Sequence, residues 1–213
     1  MMNSKKWLAT LSTAALLAGT IASGVPAFAH AKPASQKHAT TNAKAATKSA
    51  KPATKNANSG VVVVTTQMVT GKMDGRKGWP QYKPSTFHVL AGKTIKLVIK
   101  SYDDGFAPVA PSFTKVQGTI GGSELVDGKK FTSFKADQVA HTMTITDGNK
   151  TINVVVPVRS AKEKYVTVTA EFSFAKPGTY SWQCMAACGT GKSGWGGPMV
   201  TNNWMKGTWV VGK

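Results

Sequence analysis

Val166-Thr167-Val168-Thr169-Ala170-Glu171-Phe172-Ser173-Phe174-Ala175-Lys176-Pro177-Gly178-Thr179-Tyr180-Ser181-Trp182-Gln183-Cys184 is the stretch on which the fold turns. Val166, Val168, Ala170, Phe172 and Phe174 fall on one face of an extended chain, and polar residues separate Val166 through Phe172 on the other. That two-residue period marks a half-buried strand. Lys176-Pro177-Gly178 then has turn chemistry, with proline presetting φ and glycine supplying the conformation that other residues avoid. Thr179 to Gln183 reads as the returning strand, and it delivers Cys184 at its end.

Working outward, the same pattern recurs. Val61 to Thr66 is β-branched throughout and predicts a strand. A loop rich in Gly, Lys and Pro follows from Gly71 to Pro84. Thr94 to Lys100 alternates apolar and polar residues behind the Ala91-Gly92 turn. Asp127-Gly128 sits between two short extended segments, Glu124 to Val126 and Lys129 to Phe131, as a hairpin signal. Val139 to Thr146, Thr151 to Val156 and Thr208 to Val211 complete the strands, with a turn at Asp147-Gly148-Asn149. Short strands punctuated by turns, with no convincing amphipathic helix and no internal repeat, predict an all-β sandwich or barrel.

Upstream of Val61 the composition changes. Lys5 and Lys6 precede an uncharged, Ala- and Leu-rich run from Trp7 to Ala22, and Ala27-Phe28-Ala29 has the small-x-small form of a cleavage site. Residues 1–29 are therefore expected to be a signal peptide, with an uncleaved anchor as the alternative. Leu17-Ala18-Gly19 is followed by Thr20, which excludes a lipidated cysteine there. Residues 30–60 carry six lysines, no acid and no aromatic residue, and are expected to form a disordered Lys/Ala-rich spacer. Such a spacer suits a tether to an anionic cell wall or membrane surface. It lacks the interleaved aromatics of a single-strand nucleic-acid binder, so nucleic acid is not expected as a partner. The chain is expected to be secreted or otherwise extracytoplasmic.

The net charge of +18 arises from 27 basic and only 9 acidic residues. Those acids begin at Asp74, so the folded part, residues 61–213, is less lopsided than the whole. Two cysteines exclude a disulfide-dense scaffold and a four-cysteine zinc site, and four histidines restrict any metal centre severely.

Four segments carry a resemblance. Val89-Leu90-Ala91-Gly92-Lys93-Thr94-Ile95-Lys96-Leu97-Val98 is similar to an early strand of the cupredoxins, and His141-Thr142-Met143-Thr144-Ile145 to the strand bearing their first copper histidine. Phe174 to Cys184 resembles the strand that ends at their copper cysteine, and Gly207 to Val211 their closing strand. The resemblance implies a cupredoxin-like Greek-key β-sandwich over residues 61–213. Cys184-Met185-Ala186-Ala187-Cys188-Gly189 is similar to the binuclear copper loop of cytochrome c oxidase subunit II. That family places a histidine and a methionine where this chain has Lys192 and Trp195, and no histidine follows Cys184. The carry-over therefore reaches His141, Cys184 and Cys188, with Met199 as an axial candidate whose spacing does not match.

One imidazole, two thiolates and a thioether form a soft set suited to Cu(I). The expected function is atypical copper binding, for copper handling or electron relay near a respiratory oxidase or other redox protein. The alternative is a copper-free structural or partner-binding module closed by a Cys184–Cys188 disulfide, which an exported chain allows. His88 is expected to be an ordinary strand histidine, and Met143, Met185 and Met205 packing residues. No paired carboxylates or phosphate-loop spacing point to an enzyme, although Cys184 with His141 is a conceivable nucleophile pair.

Overall fold

The computed structural model describes residues 60–213 except Asn149. The expected signal peptide and all but the last residue of the expected spacer lie outside the described residues. Among the described residues, eleven strands form two sheets. The first runs in the order β2 (Gln81–Lys83), β1 (Val61–Val69), β4 (Thr94–Ser101), β9 (Val166–Phe172), β5 (Glu124–Val126), β6 (Lys129–Phe131). The second runs β3 (Thr86–Leu90), β11 (Lys206–Gly212), β10 (Gly178–Gln183), β7 (Val139–Asp147), β8 (Lys150–Pro157). Pairing is antiparallel except for β1 with β4 and β3 with β11. The only helical segments among the described residues are four 3-10 turns of three or four residues.

Alternation builds the core. Ile95, Leu97 and Ile99 of β4, and Val166, Val168, Ala170 and Phe172 of β9, are all buried on one face of the first sheet. Met143, Ile145, Val154, Val156, Trp182 and Trp209 come from strands of the second sheet and are equally enclosed. Burying side chains of this size contributes roughly 1.5–3 kcal/mol each. The Asp127-Gly128 hairpin forms as expected, with φ of 46° and 82° at its two central residues.

The loop expected from Gly71 to Pro84 contains an additional strand, β2. Its three residues carry too little pattern to register in sequence, and pairing with Gln67, Met68 and Val69 holds them extended. β8 departs from alternation: Asn153 through Pro157 are all buried. Its outer face is covered by the segment preceding β5, where Gln117 and Asn153 exchange backbone hydrogen bonds of 3.1 and 2.9 Å. The Asn153 amide also donates to the carbonyls of Phe113 and Lys115.

Gly207, on β11, lies where Ser85, just before β3, and Trp182 of β10 close over the strand between them. Trp182 Nε1 donates to the Ser85 carbonyl at 2.8 Å, directly over this residue. A Cβ there would overlap the Ser85 oxygen and lie 2.7 Å from Trp182 Nε1. Gly207→Ala is expected to lower unfolding free energy by about 2–3 kcal/mol, as overpacking does, measured by urea denaturation.

Candidate metal centre

Four elements converge at one end of the sandwich. β7 contributes His141, whose side chain is 1% exposed. Cys184 follows β10 directly and is fully buried. The long connection to β11 supplies Cys188 and Met199. The segment after β4 supplies Asp103.

Backbone hydrogen bonds fix the cysteine loop on both sides. Cys184 N donates to the Met205 carbonyl at 2.8 Å, and Ala187 N to the Pro108 carbonyl at 2.7 Å. Thr190 and Gly196 exchange two hydrogen bonds, which fold the glycine-rich stretch back on itself. That reversal brings Met199 against Cys188, with Sγ and Sδ 3.4 Å apart. Gly189 is needed for this approach, because a Cβ there would lie 2.6 Å from Met199 Cγ. Eleven residues separate the two sulfurs in sequence, so spacing alone gave no register for Met199.

The sulfurs of Cys184 and Cys188 are 3.6 Å apart, and both cysteines are free in this structure. His141, Cys184 and Cys188 place their ligand atoms within 4.8 Å of one another. Cys184 Sγ also accepts a hydrogen bond from Thr142 N at 3.3 Å, and the Thr142 hydroxyl accepts from Met185 N at 2.8 Å. β7 thus positions both the histidine and the cysteine strand.

The histidine is oriented from behind by a residue that sequence reasoning did not assign. His141 Nε2 donates to Asp103 Oδ2 at 2.8 Å, while the buried Nδ1 has no hydrogen-bond partner. Asp103 Oδ1 is itself held by Gly105 N at 2.9 Å. The visible signal was an Asp103-Asp104 pair directly after a strand in a chain with only 9 acids.

Burial disfavours each charge here, yet the charges support one another. Burial opposes ionisation of Asp103, but the bond and charge of His141 and nearby backbone N–H groups hold its pKa below the usual value. Burial would lower the imidazole, but Asp103 and the Cys184 sulfur outweigh it and raise His141 to about 9. Burial would raise Cys184, but Cys188, His141 and Thr142 N–H favour its thiolate and drive it well down. Hydrogen bonding to Cys184, together with burial, keeps Cys188 a thiol.

The donor set fits a soft ion. A buried nitrogen without a partner faces two cysteine sulfurs, and a thioether touches one of them. Thiolate and thioether donors favour Cu(I). His88 stays outside the centre, exposed on β3, while Met143 and Met205 are enclosed in the core. Trp182 and Trp209 are core residues as well. Trp204 instead stacks edge-on against Trp79, with Arg76 over both rings. Cys184, the thiol of the conceivable nucleophile pair, is fully buried beside His141.

A carboxylate behind a ligating histidine raises the ligand's basicity and fixes its tautomer. Asp103→Asn is expected to weaken Cu(I) binding by about 10- to 100-fold, in competition with a chromogenic Cu(I) chelator. An unchanged affinity would show that the carboxylate does not prepare Nδ1.

No protein-family model matches this chain, and no curated protein matches it either. Among solved structures, it is similar to rusticyanin from Thiobacillus ferrooxidans, with a TM-score of 0.36 and 15% identity over 71% of this chain and 77% of that one. It is also similar to auracyanin A, a "blue" copper protein from Chloroflexus aurantiacus, with a TM-score of 0.36 and 12% identity over 71% and 98%. The auracyanin of Roseiflexus castenholzii gives a TM-score of 0.35 and 13% identity over 71% and 97%.

Proposed function

We propose that this chain is an exported copper-binding protein that holds Cu(I) through His141 Nδ1, Cys184 Sγ, Cys188 Sγ and Met199 Sδ. The observation carrying this reading is the buried, unpartnered His141 Nδ1 beside two free cysteine sulfurs. An unpaired buried polar atom is costly, and a ligated ion would satisfy it. Three sulfurs and one nitrogen favour copper handling over fast electron relay, which needs a set that accepts both copper oxidation states. Holding and delivering an ion requires no catalytic turnover. The Cys-x3-Cys-Gly loop supports a respiratory oxidase or related redox protein as the recipient, and the basic spacer supports retention at an anionic cell surface.

The test is a titration of the reduced full-length chain with Cu(I) under anaerobic conditions. One ion per chain, with thiolate-to-copper absorption in the near ultraviolet, is expected. Absence of saturable binding would overturn the reading. The competing copper-free module with a Cys184–Cys188 disulfide draws on the same 3.6 Å separation. It predicts that copper leaves the melting temperature unchanged, whereas a ligand of the folded state raises it.

A further inference from the structure

We infer that the Cys184–Cys188 pair is also a two-electron donor that reduces Cu(II) to Cu(I) at its own site. This rests on the copper reading above and adds a single-turnover redox activity to it.

Three observations carry the inference. First, the sulfurs are 3.6 Å apart, so a bond of about 2.05 Å needs an approach of only about 1.5 Å. Second, the two cysteines are unequally held. Cys184 is fully enclosed and anchored by Thr142 N and the Met205 carbonyl. Cys188 is only partly buried, so it is the sulfur an incoming ion meets first. Third, the site has one imidazole. The other histidine among the described residues, His88, faces solvent on β3. A set dominated by sulfur stabilises Cu(I) over Cu(II) and thereby makes an arriving cupric ion a stronger oxidant.

The step balances with cupric ion as the oxidant. The Cys184 Sγ–Cys188 Sγ bond forms, the remaining S–H proton passes to water, and the two electrons released reduce two Cu(II) to two Cu(I). The oxidised site keeps only His141 Nδ1 and Met199 Sδ as neutral donors, so it no longer holds the ion it has reduced. A dithiol reductant restores the pair by exchange. The loop thus converts arriving Cu(II) to the Cu(I) that its sulfurs favour, and the oxidised form releases its cargo.

The test adds excess cupric sulfate to the reduced full-length chain without oxygen. Cu(I) is read with a chromogenic chelator, and thiols are read by alkylation and mass spectrometry. Two Cu(I) per chain are expected, with both cysteines protected from alkylation in a monomer lighter by two hydrogens. Cys188→Ser should cut the Cu(I) yield at least tenfold, while circular dichroism checks that it is folded. Four results overturn the inference: thiols that stay alkylatable, a stable Cu(II)–thiolate absorption band, a disulfide-linked dimer in place of the lighter monomer, or an undiminished yield from Cys188→Ser. Failure of Cu(I) to bind at all overturns the site reading itself, which the anaerobic titration reads separately.

Discussion

Cys184→Ser is expected to lower the affinity of the reduced chain for Cu(I) by at least about 100-fold, more than the loss of a supporting carboxylate would. Cys184 is the most completely enclosed of the cysteines and the one whose anion the surroundings favour. Its backbone N–H is taken by the Met205 carbonyl, and its sulfur by Thr142 N. A serine hydroxyl fits the same hydrogen bonds, so the metal-free fold should survive the change. It offers a hard, protonated oxygen in place of a soft anionic sulfur, and this is what Cu(I) discriminates against. Competition with a Cu(I) chelator measures the affinity, and thermal unfolding of the apo chain measures the fold. Equal affinity in the two proteins would remove Cys184 from the ligand set. Met199→Leu should cost less, because a thioether is a weak neutral donor, and it keeps the volume beside Gly189.

The second large effect lies away from the metal centre. Glu124 opens β5 with its side chain 2% exposed. Its Oε2 accepts Val155 N at 3.0 Å, tying β5 to β8 across the two sheets, while Oε1 has no partner. Burial raises its pKa from 4.5 to about 8, only partly offset by the Val155 bond. The folded chain therefore keeps this carboxyl protonated at pH 7, while the unfolded chain has already ionised it. Its contribution to stability is fully present below about pH 4.5, declines as pH rises, and is lost by about pH 8. At about 1.4 kcal/mol per pH unit, the loss over that window is on the order of a few kcal/mol. Glu124→Gln keeps an acceptor for Val155 N and removes the titration. Urea unfolding at several pH values between 4.5 and 8 should show a flatter profile for Glu124→Gln than for the parent. The difference between the two slopes isolates this residue from His141, whose raised pKa adds its own decline toward pH 9. Parallel profiles would show that Glu124 ionises normally inside the fold.

Much of the architecture was legible because alternation is a local property. Val166 to Phe172 and Thr94 to Ser101 bury every second residue in the structure, as their patterns require. The hairpin at Asp127-Gly128 is likewise written in two residues. β2 was not legible, because three residues extended by a neighbour carry no period of their own. The covered outer face of β8 was hidden for a related reason: what buries Val155 and Asn153 is a segment more than thirty residues upstream.

The centre divides the same way. The residue types at His141, Cys184 and Cys188 named a soft donor set, since ligand chemistry resides in side chains whatever their position. Asp103 and Met199 acquired their places only through folding. Asp103 meets His141 because the segment after β4 reaches the start of β7, and Met199 meets Cys188 because Thr190 and Gly196 close the loop between them. The sequence by itself determined which of the longer strands form and which soft donor side chains the chain offers, both being legible in neighbours along the chain. Only the tertiary structure decided that His141 presents an unpaired Nδ1, that two thiols stand at 3.6 Å and that Glu124 holds its proton. Those properties come from burial and from contacts between residues distant in sequence, which set a group's solvation and its partners.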